Sequence, residues 1–143
     1  MEDVQIDELR TQIDKENAEM EMLGKAYYKA FDYRGYTLRV IRARTYSYLC
    51  GYIEMDVEEE SNTYNIIDRE FHGGITFNRD GMVGFDCNHS DDFNLAFYDM
   101  GMKMSDPLLM TPPNEYQTYK SIGYVEQNLK CTVDMLIDLK EGS

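Results

Sequence analysis

Basic residues are scarce in this sequence. Lysine and arginine together number 14, against 27 aspartates and glutamates, which gives a formal net charge of −13. Such a chain repels nucleic-acid phosphates and anionic lipid head groups, so direct binding to DNA, RNA or a membrane surface is disfavoured. A protein partner with a basic surface is favoured instead. Nucleic-acid-binding effectors are the plainest example, because carboxylates can occupy a groove that phosphates would otherwise fill.

Cysteines and long apolar runs are also few. Three cysteines cannot all pair within one chain, and their spacing is not that of a disulfide scaffold, so we expect a reducing cytoplasm. No stretch approaches the roughly 20 apolar residues of a membrane helix, and the acidic N-terminus does not resemble a signal peptide. With 143 residues, of which 43% are hydrophobic, the chain suits one domain with a core.

Only three prolines interrupt the chain, which leaves room for helices near both ends. Apolar residues recur at alternating steps of three and four at Ile6, Leu9, Ile13, Met20, Leu23, Tyr27 and Ala30. This spacing predicts an amphipathic helix over residues 1–30, with Glu16 in the seam. Two alternatives follow, a helix that covers the sheet of its own chain or a homodimeric coiled coil. Covering the sheet is favoured, because Glu16 and Gly24 weaken a coiled-coil seam.

Strand patterns begin after this segment. Clustered β-branched and aromatic residues predict two antiparallel strands over residues 36–43 and 46–55, followed by a solvated connection. Tyr64–Ile67 is predicted as a short edge strand or turn. Strand-like Ile75–Phe77 and Met82–Asp86 flank an Asp-Gly pair, which predicts a β-hairpin.

The C-terminal segment returns to helical spacing. Apolar residues from Ile122 to Leu139 recur at steps of three and four, with Ser121 as the predicted N-cap. We therefore expect residues 31–143 to form a single α+β domain. Its predicted fold is a central antiparallel sheet, with the N-terminal amphipathic helix and the C-terminal helix packed on it.

Histidine is rarer still, since the chain has two. His72 directly precedes the stretch "GGITFNRDGMVGFDCNHSDD" and His89 lies near the end of it. The predicted hairpin places the far ends of its strands side by side, so we expect the two imidazoles to meet. The candidate pocket consists of His72, Gly73, Gly74, Asp86, His89 and Asp92.

A divalent metal such as zinc is one candidate for this pocket, since imidazole, thiolate and carboxylate are metal ligands. The predicted metal ligands are His72, Cys87, His89 and Asp92. Two alternatives stay open. In one, the histidines bind an anion or act as acid and base. In the other, the residues are structural and Asp91 or Asp92 caps a turn. Cys50 joins the site only if its strand neighbours the hairpin, and is otherwise a small buried hydrophobe.

Charged residues are unevenly distributed. A basic strip consists of Arg34, Arg39, Arg42 and Arg44. Guanidinium groups in a strip can hold the phosphate of a nucleotide, but pairing with acids across the sheet is favoured. The predicted contacts to a basic protein partner are Glu58, Glu59, Glu60 and Asp91.

Three short pieces together resemble a known group of proteins. They are "CGYI" (50–53), "HGGITF" (72–77) and "GFDCNHSDD" (84–92), in that order. They resemble small uncharacterised proteins of bacteriophages and mobile elements that share a CGY…HGGxT…GFDxxHxxD pattern. The recurrent polar residues of that group correspond to Cys50, His72, Asp86, His89 and Asp92. This chain departs from the group in having no tryptophan before Gly84, and in the heptad helix ahead of the first piece.

The resemblance implies a phage origin, and small acidic phage proteins frequently block host machinery. We therefore expect an interaction protein of the host cytoplasm that binds and blocks a host defence component, such as an anti-CRISPR inhibitor. The alternative is a small metal-dependent or histidine-based enzyme, or a nucleotide-binding protein, that uses a pocket of His72, His89 and Asp92. Enzymatic activity is left open, with the non-enzymatic interpretation ahead.

Overall fold

The structure is a computed structural model that describes residues 2–21, 26–109 and 111–141. Within these ranges the chain forms four helices and five strands. In chain order they are α1 (Glu2–Glu19), β1 (Tyr28–Tyr33), β2 (Tyr36–Arg42), β3 (Leu49–Glu54), α2 (Asn62–Glu70), β4 (Phe77–Arg79), β5 (Met82–Asp86), α3 (Leu95–Met104) and α4 (Ile122–Glu141). This architecture confirms the predicted α+β class. No helix in the described ranges has the length and apolar character that a membrane crossing needs.

The five strands form one antiparallel sheet in the order β1-β2-β3-β5-β4. Alternate residues of the central strands are buried on one face of the sheet, where α4 packs on β2 and β3. The main core on this face includes Leu38, Val40, Leu49, Ile53, Val83, Phe85, Val125, Leu129 and Val133. Gly51 brings α4 close, since a Cβ there would lie 2.9 Å from a methyl group of Val125.

The opposite face of the sheet carries side chains that are half-buried rather than fully buried. We call this surface the open face, and its central half-buried members are Arg39, Ile41, Cys50, Tyr52, Phe77 and Asp86, with the buried Gly84 between them. Cys50 lies directly opposite Asp86, and Tyr52 directly opposite Gly84. The chemistry at the end of β5 therefore borders a sheet surface that is not part of the core.

The N-terminal helix is shorter than the predicted span of residues 1–30. It ends at Glu19, and Tyr28–Tyr33 forms a strand instead of the last helical turns. Every residue of that strand pairs with β2. Aromatic residues favour a pleated, half-buried surface. This segment therefore forms a strand paired with β2, although the heptad spacing of the preceding helix continues through its first residues. The seam residue Leu23 lies outside the described residues.

The apolar seam of α1 is used within the chain. Its buried residues pack in a second cluster that contains Ile6, Leu9, Ile13, Phe93, Leu95 and Tyr98. The seam is therefore covered within the chain, but mainly by the segment around α3 rather than by the sheet that the spacing led us to expect. A homodimeric coiled coil would need the same seam, which the segment around α3 already covers.

Glu16, the polar residue in that seam, is a buried junction between three elements. Its carboxylate accepts hydrogen bonds from the guanidinium of Arg42 at 2.9 Å and from the backbone N–H of Ile122 at 3.0 Å. Tyr119 donates its hydroxyl proton to the same carboxylate. Glu16 thus ties α1 to β2 and to the N-terminus of α4.

Two helices were not predicted. Residues 61–67, expected as a connection followed by an edge strand or turn, instead begin α2. The hydroxyl oxygen of Ser61 accepts a hydrogen bond from the backbone N–H of Tyr64 at 3.0 Å and caps that helix. Asn94 caps α3 in the same way, accepting from the N–H of Phe97 at 3.2 Å. Each of these helices begins at a single polar cap. The apolar pattern within each helix is too short to predict a helix from spacing alone.

The predicted hairpin is present with a shifted first strand. Its second strand, Met82–Asp86, is confirmed, whereas the first runs over Phe77–Arg79 rather than Ile75–Phe77. Asp80 and Gly81 form the turn with φ of 56° and 75°. Both values are positive, as the tight hairpin turn of an Asp-Gly pair requires.

Candidate functional site

The two histidines meet at the end of β5. His72 lies in the turn after α2, not on a hairpin strand as expected, and His89 lies in the turn after β5. Their ring centroids are 5.3 Å apart. The predicted meeting of the two imidazoles is therefore confirmed, although α2 rather than a strand delivers His72.

Gly73 and Gly74 shape the wall of this site, with φ of +70° and +87°. A Cβ at Gly73 would lie 2.5 Å from Nε2 and 2.9 Å from Nδ1 of His89. The peptide beside His72 thus packs directly against the face of the second imidazole. A side chain at Gly73 would both strain the backbone and displace that ring.

Asp92 is the centre of the site, with a side chain only 1% exposed. Its Oδ1 lies 2.9 Å from Nε2 of His72 and 3.0 Å from Nζ of Lys120. Its Oδ2 accepts from the backbone N–H of His89 at 2.9 Å and lies 3.0 Å from Nδ1 of that residue. Burial by itself raises the pKa of Asp92, but these hydrogen bonds outweigh burial and hold the pKa well below its usual range. Asp92 is therefore an ionised carboxylate whose acceptor positions are filled.

His72 has both ring nitrogens engaged. An ionised carboxylate only accepts hydrogen bonds, so Nε2 of His72 carries a proton and donates it to Asp92. Its Nδ1 accepts from the hydroxyl of Tyr124 at 2.7 Å, and burial raises the pKa of that tyrosine, which keeps its proton. The backbone N–H of His72 donates to Asn128 on α4 at 3.1 Å. With a side chain 8% exposed, His72 is a positioning residue.

His89 has one nitrogen held and one free for chemistry. In the neutral ring Nδ1 donates to Asp92, which leaves the lone pair of the neutral imidazole on Nε2. That atom lies 3.7 Å from Oδ1 of Asp86, and the His89 side chain is 30% exposed. Of the two histidines, His89 is the one that can exchange a proton with a ligand.

Lys120 was not among the predicted site residues. Its ammonium lies within 3.0 Å of four oxygens: Oδ1 of Asp92, the carbonyl of Asp91, and the carbonyl and hydroxyl of Thr118. A backbone bridge between Asp92 and Thr118 brings the two segments together. No local pattern in the sequence predicts this bridge, because it joins residues 26 positions apart.

A metal-compatible group is present, but its members differ from those predicted. One ligand atom from each of His72, His89, Asp91 and Asp92 lies within 4.8 Å of the others. Cys87, predicted as a ligand, is 2% exposed and packs in the main core. Burial raises the pKa of its thiol, and metals bind the thiolate. A metal at this group would replace hydrogen bonds of His72 and Asp92 and compete with the ammonium of Lys120.

Cys50 does adjoin the site, because β3 neighbours β5. It faces Asp86 across the two strands. Burial is the main cause that raises the pKa of its thiol, to about 11. At neutral pH Cys50 is therefore an uncharged thiol on the open face, not a nucleophilic thiolate.

The four acids predicted to contact a partner do not form one surface. Glu58, Glu59 and Glu60 are exposed in the loop after β3, which leaves the sheet beside Met82. Asp91 is also exposed, but it follows the opposite end of β5, within the histidine site.

Three of the four arginines in the basic strip pair with acids, as favoured from the sequence. Arg34 lies 2.7 Å from Asp134 and Arg39 lies 2.7 Å from Glu54. Buried Arg42 pairs with Glu16, as described above. Arg44 is exposed. These cations mainly stabilise the fold, so a continuous phosphate-binding strip is not formed.

No family model, no curated protein and no solved structure matches the chain. The resemblance to small phage proteins thus depends on three short pieces of sequence. In the structure those pieces converge. Cys50 and Asp86 are cross-strand neighbours, and His72, His89 and Asp92 are joined by hydrogen bonds.

Proposed function

We propose that the protein is a small histidine-based enzyme in which Nε2 of His89 moves a proton to and from a bound ligand. The observation that carries this proposal is the hydrogen bond from Nδ1 of His89 to the buried carboxylate of Asp92. It selects the tautomer with a lone pair on Nε2 and holds the ring in one orientation, as a general base requires.

The surrounding charges suit both protonation states of His89. When Nε2 accepts a proton from a ligand hydroxyl, a ring N–H or a water, the imidazolium lies between two carboxylates, Asp92 on one side and Asp86 on the other. The same proton returns from Nε2 to the product, which restores the neutral ring. Asp92 stays ionised throughout because His72 and Lys120 also donate to it.

The proposal is tested first by the tautomer of His89. Two-dimensional ¹⁵N–¹H NMR of the imidazole rings at neutral pH should show the proton of His89 on Nδ1, and that of His72 on Nε2. Diethyl pyrocarbonate, which acylates a free imidazole nitrogen, should modify His89 much faster than His72. His72 is a matched internal control, since both of its ring nitrogens are hydrogen-bonded. A His89 protonated on Nε2, or equal acylation of both rings, contradicts the proposal.

A second candidate function is the inhibition of a host defence component in the host cytoplasm. The observation that favours it is the exposed run Glu58–Glu60 on a chain of net charge −13. These carboxylates can contact a partner with a basic surface, such as a nucleic-acid-binding effector, and steer its approach. The resemblance to small phage proteins supports the same candidate.

One pair of variants separates the two functions. Replacing Glu58, Glu59 and Glu60 together by lysine should abolish protection of phage in a cellular CRISPR-interference assay, if the protein is an inhibitor. His89→Gln should leave that protection intact. The reverse pattern, with loss only in His89→Gln, supports the enzyme. The folding of both variants is checked by circular dichroism and thermal unfolding.

A further inference from the structure

Two side chains of β3 have no part in the proton transfer described above. Cys50 and Tyr52 both lie on the open face, on the strand next to β5. Their neighbours across the strands are Asp86 and Gly84, respectively. The carboxylate of Asp86 also lies near the free nitrogen of His89, with Oδ1 3.7 Å from Nε2. The carboxylate beside the proposed base therefore has an uncharged thiol across from it on the open face, and an aromatic ring two residues further along β3.

Tyr52 lies flat on the sheet. A Cβ on Gly84 would be 2.7 Å from Cε1 of the Tyr52 ring, so only glycine allows the ring to cover this position. Phe77 holds the edge of the ring, with centroids 5.4 Å apart and planes at 88°. One side of the ring is thus in contact with the backbone, and its orientation is fixed. Tyr52 is half-buried on a face that the core does not use.

We infer that the open face beside His89 binds a planar heteroaromatic ring that carries an N–H donor and no phosphate. The ring stacks on Tyr52, its N–H donates to Asp86, and its edge reaches Nε2 of His89. This inference names the ligand class of the site proposed above and depends on that proposal only for the proton transfer.

The stacking part of the inference follows from the fixed Tyr52 ring. An aromatic side chain that already lies in the orientation for stacking loses little entropy when a planar ligand covers it. Stacking of a base on such a ring contributes roughly 1–3 kcal/mol, which corresponds to about fivefold to hundredfold in affinity. Nucleobases are the commonest biological rings of this kind.

The charge part follows from what surrounds Tyr52. Asp86 is an acceptor, and the thiol of Cys50 is uncharged at neutral pH because burial raises its pKa to about 11. The nearest cation across the strands, Arg39, is paired with Glu54 at 2.7 Å. A phosphate group would meet a carboxylate and the field of a strongly acidic chain. A nucleoside fits better than a nucleotide.

The test uses adenosine as the probe and its 5′-monophosphate as the charged comparison. Titration of the ¹⁵N-labelled protein with adenosine should shift the backbone amides of Cys50, Tyr52 and Asp86 in a saturable manner. The monophosphate should bind at least several-fold more weakly. Tyr52→Leu should weaken adenosine binding by roughly tenfold or more. Tyr28→Leu is the matched control, because Tyr28 lies on the same face of the sheet at the edge strand β1.

A second variant keeps the test informative if Tyr52→Leu does not fold. Asp86→Asn keeps the Tyr52 ring and replaces the carboxylate by an amide, so it should weaken adenosine binding several-fold. Saturable binding that is lost in Tyr52→Leu and kept in Tyr28→Leu supports the inference. No saturable shift, or a monophosphate that binds more tightly than adenosine, overturns it.

The outcome is distinguishable from that of the proposed function. If adenosine binds as expected but His89 carries its proton on Nε2, the binding inference stands and the proton-transfer proposal fails. If His89 has the expected tautomer but adenosine does not bind, the proposal stands and the ligand class is wrong.

Discussion

Nδ1 of His89 lies 3.0 Å from Oδ2 of Asp92, a carboxylate whose side chain is 1% exposed and which also accepts from the backbone N–H of His89. Two hydrogen bonds from one residue to one buried oxygen fix both the turn and the ring. The position of the proton on the imidazole is therefore a property of the fold. The predictions below test this arrangement and the contacts that support it.

Asp92→Asn should destabilise the protein by about 3 kcal/mol, because it leaves the ammonium of Lys120 in a largely buried position without its charged partner. Urea unfolding at neutral pH measures this loss. Asp91→Asn is the control, since the side chain of Asp91 is exposed and Lys120 contacts only its backbone carbonyl. Equal stability of the two variants would contradict a central role for the Asp92 carboxylate.

The contribution of Asp92 to stability should depend on pH in a defined direction. Its pKa is lower in the folded state than the ordinary value of about 3.9, so its contribution is fully present above that value. The contribution is lost as pH falls below about 4 towards the lower folded value. The difference in unfolding free energy between the natural protein and Asp92→Asn should shrink as pH falls below about 4. If this difference in unfolding free energy instead grows as the pH falls, the prediction is wrong.

Gly73→Ala should displace the His89 ring, because the new methyl group would lie 2.5 Å from Nε2. Gly81→Ala is a matched control. Its φ of +75° is close to the +70° of Gly73, and no atom lies within 4 Å of the added Cβ. Both variants should lose about 1 kcal/mol for the strained backbone. Only Gly73→Ala should change the imidazole NMR signals of His89 and its rate of acylation.

Glu16→Gln should lower the free energy of unfolding by about 3–5 kcal/mol, since Arg42 would stay buried without a charged partner. Glu19→Gln at the exposed end of the same helix should change it by less than about 0.5 kcal/mol. Thermal or urea unfolding compares the two. If both substitutions cost the same, the junction between α1, β2 and α4 is not important for stability.

Lys120→Ala should increase the affinity of the site for zinc. The substitution removes the ammonium that lies 3.0 Å from Oδ1 of Asp92 and frees this oxygen for a metal beside His72 and His89. Isothermal titration with zinc chloride compares the variant with the natural protein, and Lys103→Ala, at an exposed position of α3, is the control. Unchanged zinc affinity in Lys120→Ala would show that the ammonium does not compete for this position.

Local patterns in the sequence were sufficient for several parts of the fold. Apolar spacing predicted α4, because the stripe from Ile122 to Leu136 packs on one face of the core. The Asp-Gly pair predicted the turn before β5 correctly. The patterns failed at Tyr28–Tyr33, where heptad spacing continues into a strand, and at α2, where the hydroxyl of Ser61 caps a helix of only nine residues.

The candidate site divides in the same way. Clustering of both histidines with Asp86 and Asp92 was visible in the sequence, because these residues lie within 21 positions of one another. The roles of the individual residues were not visible in the sequence. Whether Nε2 of His89 is free depends on the carboxylate of Asp92, and the state of that carboxylate depends on Lys120 and, through His72, on Tyr124.

By itself, the sequence determined the charge of the protein, its α+β class and the group of residues at the end of β5, since composition, periodicity and short spacing carry that information. Only the tertiary structure decided which histidine keeps a free nitrogen, where Lys120 lies and why Glu16 is buried. These features depend on contacts between residues as many as 106 positions apart. Such contacts form only when the chain packs, because burial makes a hydrogen bond to an ionised carboxylate both necessary and specific.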